Sequence, residues 1–401
     1  MINLELPKSL IGAQTMAHQV AASVFRPIAR KYDTIEHCDT PEELVALGKM
    51  LAASGGAGKM TERASGDDDS VKNGSNMRGI VSMVEMCWGC TGLTLSIPGA
   101  GLGNAAIAAV GTSEQKKKFS KLYCAMAITE PGCGSDSAGV QTTAVLDGDE
   151  WVINGEKIFA TAGDRGDAVV VWATLNRAQG KAAIKSFVVE KGTPGMDVVR
   201  VEDKMGLRIS DTAAITFTDC RIPKENILGS PEIADTAEAR KKAFGGVMQT
   251  FDNTRPQVAA MALGVARAAL EITREILENE GINPAYDKRV FNSTALEAEL
   301  YRMEADLEAS RLLALKAAWM ADNKQPNSKE ASICKAKAGR VGNHITLRCV
   351  ELCGSLGYSE SYLLEKFARD SKIIDIFEGT QQIQQLIVAR QVLGKSSSEL
   401  K

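Results

Sequence analysis

VLDGDEWVINGEKIFAT, residues 145–161, decides the architecture. Asp147–Gly148 and Asn154–Gly155 are dipeptides that accept positive backbone angles, and alternating or β-prone residues flank both, so the segment reads as successive hairpins. Further strands are expected at Ala168–Leu175, Ser186–Glu190, Val198–Val201 and Ala213–Thr218. Short strands with no helices between them point to a small antiparallel barrel or sandwich. On either side the apolar period becomes helical. Before about residue 120, Thr40–Ala53 is typical, with Thr-Pro-Glu-Glu leading into Leu44, Leu47 and Leu51, whereas Ser54–Gly79 is rich in Gly, Ser and Asp and reads as a loop. After Pro231, periodic segments at about 238–279, 293–322 and 328–353 should pack as a bundle. The expected chain is α+β, with an N-terminal helical domain at 1–120, a middle β domain at 121–232 and a C-terminal helical bundle at 233–401.

Composition sets limits on this reading. The 401 residues are 44% hydrophobic, enough for two or three cores, and 47 basic against 50 acidic residues leave a net charge of -3, which argues against a nucleic-acid partner. The runs DDD at 67–69 and KKK at 116–118 read as solvated surface. No apolar run approaches the ~18 residues of a membrane span, and neither a signal peptide nor a transit pattern is evident, so a cytoplasmic location is expected. Nine scattered cysteines suit thiols in a reducing compartment. Cys87 and Cys90 imitate a redox or zinc pair, but no second pair stands at ligand spacing and His18, His37 and His344 are isolated in sequence, so no metal is expected. TLSIPGAGLGNAAIAAVG, residues 94–111, imitates a dinucleotide loop. Asn104 replaces its third glycine and Pro98 ends the supposed strand, so close packing of small residues between helices is the better account.

The chemistry concentrates near the end, in IIDIFEGTQQIQQLIVAR, residues 373–390. Thr380 is a candidate N-cap for an amphipathic helix carrying Ile383, Leu386 and Ile387. Glu378 precedes it, beside Gly379, whose missing side chain lets a substrate come close. Two explanations suit that glutamate: proton abstraction, or a first-turn carboxylate favoured by the helix dipole.

Four stretches occur in one order: TEPGCGSD at 129–136, WVINGEKIFATAG at 151–163, FDNTRP at 251–256 and EGTQQIQQLIVAR at 378–390. Over roughly residues 100–395 the sequence resembles the acyl-CoA dehydrogenase family. That resemblance implies α,β-dehydrogenation of an acyl-CoA with FAD as hydride acceptor and electron-transfer flavoprotein as electron partner. It implies that Glu378 is the base and that its backbone N–H polarises the thioester carbonyl. A subset of the family carries its glutamate where this sequence has Thr254. Thr129 and Thr161 match hydroxyls on the flavin ring, Phe159 an aromatic packed on it, and Thr380 and Gln382 contacts to the FAD phosphates and adenine. Ser135 resembles a pantetheine contact, and Asp252 with Arg255 a pair at the start of a bundle helix that anchors CoA. A helix N-terminus alone would make Glu378 too acidic, so desolvation must offset it.

The resemblance also implies a tetramer in which each flavin is completed by a neighbouring subunit's arginine and glutamine. Here those positions hold Asn283 and Glu351, with Tyr286 and Ser355 replacing a phenylalanine and a glycine nearby. A carboxylate and a lost cation both disfavour a diphosphate. A related second subunit is therefore expected to supply what this chain lacks. The alternatives are a non-catalytic structural subunit and an acyl-CoA oxidase.

Overall fold

A computed structural model describes residues 6–53, 74–99, 101–233, 237–396 and 399. Helices come first. α1 (Lys8–Val20) runs through a π turn at Ala21–Phe25 into α2 (Arg26–Thr34), followed by α3 (Glu42–Ala53), α4 (Ser75–Leu95), α5 (Leu102–Val110) and α6 (Ser113–Lys118). Of the expected loop Ser54–Gly79, residues 54–73 lie outside the described residues, and Ser75–Gly79 is helical instead. The reason is remote: the Asp322 carboxylate accepts the N–H groups of Gly74, Asn76 and Met77, each at 3.0 Å, and so caps α4 from another helix.

A seven-stranded curled sheet follows: β1 (Cys124–Ala127), β2 (Thr143–Asp147), β3 (Glu150–Thr161), β4 (Ala168–Thr174), β5 (Ile184–Glu190), β6 (Met196–Val201) and β7 (Thr212–Pro223). Its pairs are antiparallel except β1 with β4 and the single pair Thr143–Thr174 of β2 with β4. Asp147 opposes Glu150 across a two-residue hairpin loop. Asn154–Gly155 is no hairpin, because β3 runs straight through it with a bulge against β7. Gly155 has φ +150°, and a Cβ there would stand 2.5 Å from the Thr142 hydroxyl, so glycine is needed for strand contact rather than for a turn. The glycines of α5 likewise pack on a strand and not between helices: a Cβ on Gly103 would meet the Ala125 carbonyl at 2.2 Å.

The last part is helical: α7 (Ala237–Asn279), α8 (Ala295–Asp322), α9 (Ser328–Leu352), α10 (Gly354–Tyr358), α11 (Leu364–Ile374) and α12 (Gln381–Leu393). Their core joins that of α4 through residues such as Ile80, Val84, Leu263, Ala317, Ile345 and Phe367. Polar groups hold α11 to the loop before β7: Asp370 accepts the Leu207 N–H at 2.6 Å while pairing with buried Lys366. That contact fixes the end of α11, and with it the turn that carries Glu378.

Candidate active site

α11 stops at Ile374, and Asp375–Thr380 turns the chain into α12. Thr380 is the N-cap, its Oγ1 accepting the Ile383 N–H at 3.4 Å. Glu378 therefore stands before the cap and outside the first helical turn, so it is not a first-turn carboxylate. Its φ is +56° and that of Gly379 is +89°. A left-handed glutamate costs about 1–3 kcal/mol, and such strain persists only where the surroundings enforce it. Here they do: Gln384 Nε2 donates to the Glu378 carbonyl at 3.0 Å and to the Gly379 carbonyl at 3.1 Å, and Lys335 Nζ donates to the latter at 2.6 Å.

The Glu378 side chain is half-buried. Thr254 Oγ1 donates to its Oε2 at 2.9 Å, so the two sequence positions considered for the base face one another. Burial pushes the carboxyl above the ordinary glutamate range, while the Thr254 hydroxyl, Arg255 and Lys335 draw it partly back. Desolvation thus outweighs the neighbouring cations and leaves a better proton acceptor than a free glutamate. Among the described residues the Glu378 N–H has no acceptor.

Arg255 lies inside α7, not at a helix start, and is only 3% exposed. Its Nη1 donates to Asp252 Oδ1 at 2.7 Å, and its buried Nε has no partner among the described residues. Glu378, Gly379, Thr254, Arg255 and Asp252 are thus gathered in one place by contacts between α7, α9 and the turn before α12. Gln382 and Ser135 are exposed, with no side-chain hydrogen bond among the described residues.

Phe159 and Thr161 lie in β3, and Thr129 follows the end of β1. The Ile158 N–H donates to the Thr129 carbonyl at 2.9 Å, which sets residue 129 beside β3. Phe159 has φ +58° and is 59% exposed, a strained aromatic turned outward. Two residues earlier in β3, the fully buried Lys157 donates to Glu130 Oε1 at 2.7 Å and to the Ile128 carbonyl at 3.1 Å, while Glu130 also accepts the Gln141 and Thr142 N–H groups. Among the described residues neither the Thr129 nor the Thr161 hydroxyl has a partner. Two hydroxyls without partners among the described residues and an exposed aromatic ring, all on or beside β3, are groups that suit a planar heterocycle with hydrogen-bonding edges, so these residues fit a flavin.

Other expectations change. In α12 the buried positions are Gln381 and Gln384, and the apolar side is left partly open, with Leu386 at 39% and Val392 at 69% exposed. His37 is not isolated: Nε2 lies 2.6 Å from Asp203 Oδ1, with Glu36 adjoining and Arg208 paired to Glu36. All nine cysteines are free thiols, and Cys90 marks a kink in α4. Asn283 is exposed, and Tyr286 stacks on Tyr301 and donates to Glu304. Glu351 is ion-paired with Arg348, which also holds Glu299, so its charge is shared within the chain.

Sequence reading missed Lys335. The signal was present, because Ala331, Cys334, Lys335, Ala338, Val341 and Ile345 form the buried stripe of α9 and a lysine interrupts it. Nothing local marks the Glu130–Lys157 pair, whose members are joined only by the path of β3.

Residues 125–220 match the description acyl-CoA dehydrogenase, middle domain, and 244–393 match acyl-CoA dehydrogenase, C-terminal domain. The mitochondrial short-chain specific acyl-CoA dehydrogenase of Bos taurus is 37% identical over 322 residues, covering 78% of this chain and 75% of the relative. The solved butyryl-CoA dehydrogenase of Megasphaera elsdenii superposes with a TM-score of 0.82 at 28% identity, over 98% of this chain and 100% of the other. A chain solved in work on the electron transferring flavoprotein of Acidaminococcus fermentans gives 0.82 at 29% identity, with the same coverage.

Proposed function

The chain belongs to the acyl-CoA dehydrogenase family, and from that premise we propose how its residues convert an acyl-CoA thioester to a trans-2-enoyl-CoA. When bound, FAD supplies the hydride acceptor that no side chain can provide. Thr129, Phe159 and Thr161 would hold its ring, and Thr380 and Gln382 its phosphates and adenine. Ser135 would meet the pantetheine. Asp252 and Arg255 would anchor the CoA portion, and the buried Arg255 is also among the charges that act on the Glu378 carboxyl.

One observation carries this reading: a strained, half-buried Glu378 whose carboxyl is raised by burial and aimed by Thr254. Entry of the acyl chain beside Gly379 expels water and strengthens every charge interaction in the site. Glu378 takes the α-proton, and its unused N–H meets the charge that develops on the thioester oxygen.

Relatives named for short-chain and butyryl substrates support a short acyl chain. The test is anaerobic mixing of the yellow protein with butyryl-CoA and with longer and branched acyl-CoA thioesters. Bleaching of the flavin with formation of the 2-enoyl product is expected, fastest with butyryl-CoA. A flavin-loaded protein bleached by none of them overturns the proposal, and rapid reoxidation by oxygen would favour an oxidase.

Electron-transfer flavoprotein is the proposed electron acceptor, supported by the neighbour from work on that partner. We place the chain in a tetramer beside a related subunit. Exposed Asn283, the net negative charge of Glu299, Arg348 and Glu351 together, and the open apolar side of α12 support this. Native mass spectrometry of the co-expressed pair should give about one FAD per two chains, because only one of the two sites is completed. A homotetramer with a tightly held FAD on every subunit would refute it. We also propose a cytoplasmic location, for which the eight buried cysteine thiols are the support. Separately, no described helix is long and apolar enough to cross a membrane.

A further inference from the structure

Lys335 sits in mid-α9 and is 1% exposed, yet it carries an ammonium group into the bundle core. Burying a charge costs several kcal/mol unless its partners repay it. Its one described hydrogen bond goes to a carbonyl, that of Gly379 at 2.6 Å, which Gln384 already serves at 3.1 Å. A neutral donor would satisfy that oxygen at less expense, so the charge calls for a separate explanation.

Three charged groups face the ammonium from the elements packed around it: Asp375 in the turn after α11, Glu378 in the same turn, and Arg255 from α7. Burial lowers Lys335 to about 8, with the two carboxylates opposing that fall and Arg255 adding to it, so the group is still largely a cation at neutral pH. The same cation is among the groups that draw the Glu378 carboxyl down against desolvation.

We propose that Lys335 is a positioning residue for α-proton abstraction, locking the left-handed Glu378–Gly379 turn through the Gly379 carbonyl while its charge keeps the Glu378 carboxylate ionised as the site dries. The proposal rests on Glu378 being the base. It divides the labour at the turn: Gln384 supplies geometry alone, and Lys335 supplies geometry and charge. Burial drives the Glu378 carboxyl toward its protonated form; the Thr254 hydroxyl and Arg255 oppose that first, and the Lys335 charge adds to them.

The experiment is the pH profile of flavin reduction by butyryl-CoA in the FAD-loaded enzyme, for wild type, Lys335→Met, Lys335→Gln and Asp375→Asn. An opposite charge beside a carboxylate is worth about one pH unit or more. The acid limb of the profile should therefore move up by about one unit in both lysine variants, although Gln keeps a hydrogen-bond donor and should melt closer to wild type than Met. Asp375→Asn, which unmasks the ammonium, should move the limb down. A limb that stays in place in every soluble variant, with rates lowered equally at all pH values or not at all, reduces Lys335 to a structural clamp and overturns the proposal. Glu378→Gln is run alongside. If it bleaches at the wild-type rate the base assignment itself fails, whereas an inert Glu378→Gln with an unmoved limb in the Lys335 variants defeats only the role of Lys335.

Discussion

Glu378→Gln is expected to keep the fold and the yellow colour while slowing single-turnover flavin bleaching by butyryl-CoA roughly 10²- to 10⁴-fold, the usual contribution of a positioned general base. The amide is nearly isosteric, and the Thr254 hydroxyl that donates to Oε2 at 2.9 Å can donate to an amide oxygen as well. The Gln384 and Lys335 contacts go to backbone carbonyls and do not depend on the side chain at 378. Binding of butyryl-CoA, followed through the flavin spectrum, should change far less than the rate. Near-wild-type bleaching would remove Glu378 from the reaction and return attention to the Thr254 side of the pocket.

Lys157→Met should destabilise the protein by about 3–5 kcal/mol, because it leaves the Glu130 carboxylate buried without its cation. In the native protein burial pushes Glu130 up, but Lys157, Thr142 and the Gln141 and Thr142 N–H groups bring it below the ordinary value of 4.5. Its stabilising contribution is therefore complete above that value and is lost as pH falls through the lower folded value. In the variant, burial acts with less opposition and the folded carboxyl rises above the unfolded one. The deficit should then be largest at neutral pH and shrink as acidification neutralises Glu130. Melting curves from pH 7 down to 4 measure this. A deficit that stays constant or grows on acidification would show that the pair is not what holds this part of the sheet. Because Lys157 also holds the Ile128 carbonyl next to Thr129, the variant should release FAD more readily than it loses secondary structure.

The order of helices, strands and helices was legible because it rests on local periodicity, which changes at the boundaries of the sheet and needs no distant partner. Glu378, Gly379 and Thr380 were legible too, since an N-cap threonine and a glycine before an apolar helix are written in adjacent residues. What the sequence could not show was anything that depends on a partner far along the chain. Asn154–Gly155 has hairpin composition, but Thr142 pressing on Gly155 and Asp219 bonding to Asn154 make it a bulge in a continuous strand. Ser75–Gly79 has loop composition, but Asp322 caps it into a helix from 245 to 248 positions away. The proton affinity of Glu378 belongs to this second class. Its raised carboxyl is the balance between burial in a closed turn and the charges of Arg255 and Lys335, brought from two other helices. Local sequence sets backbone preference and places the glutamate at the turn. Only tertiary structure sets the dielectric and the charges around it, because these depend on which remote side chains share its few ångströms of space.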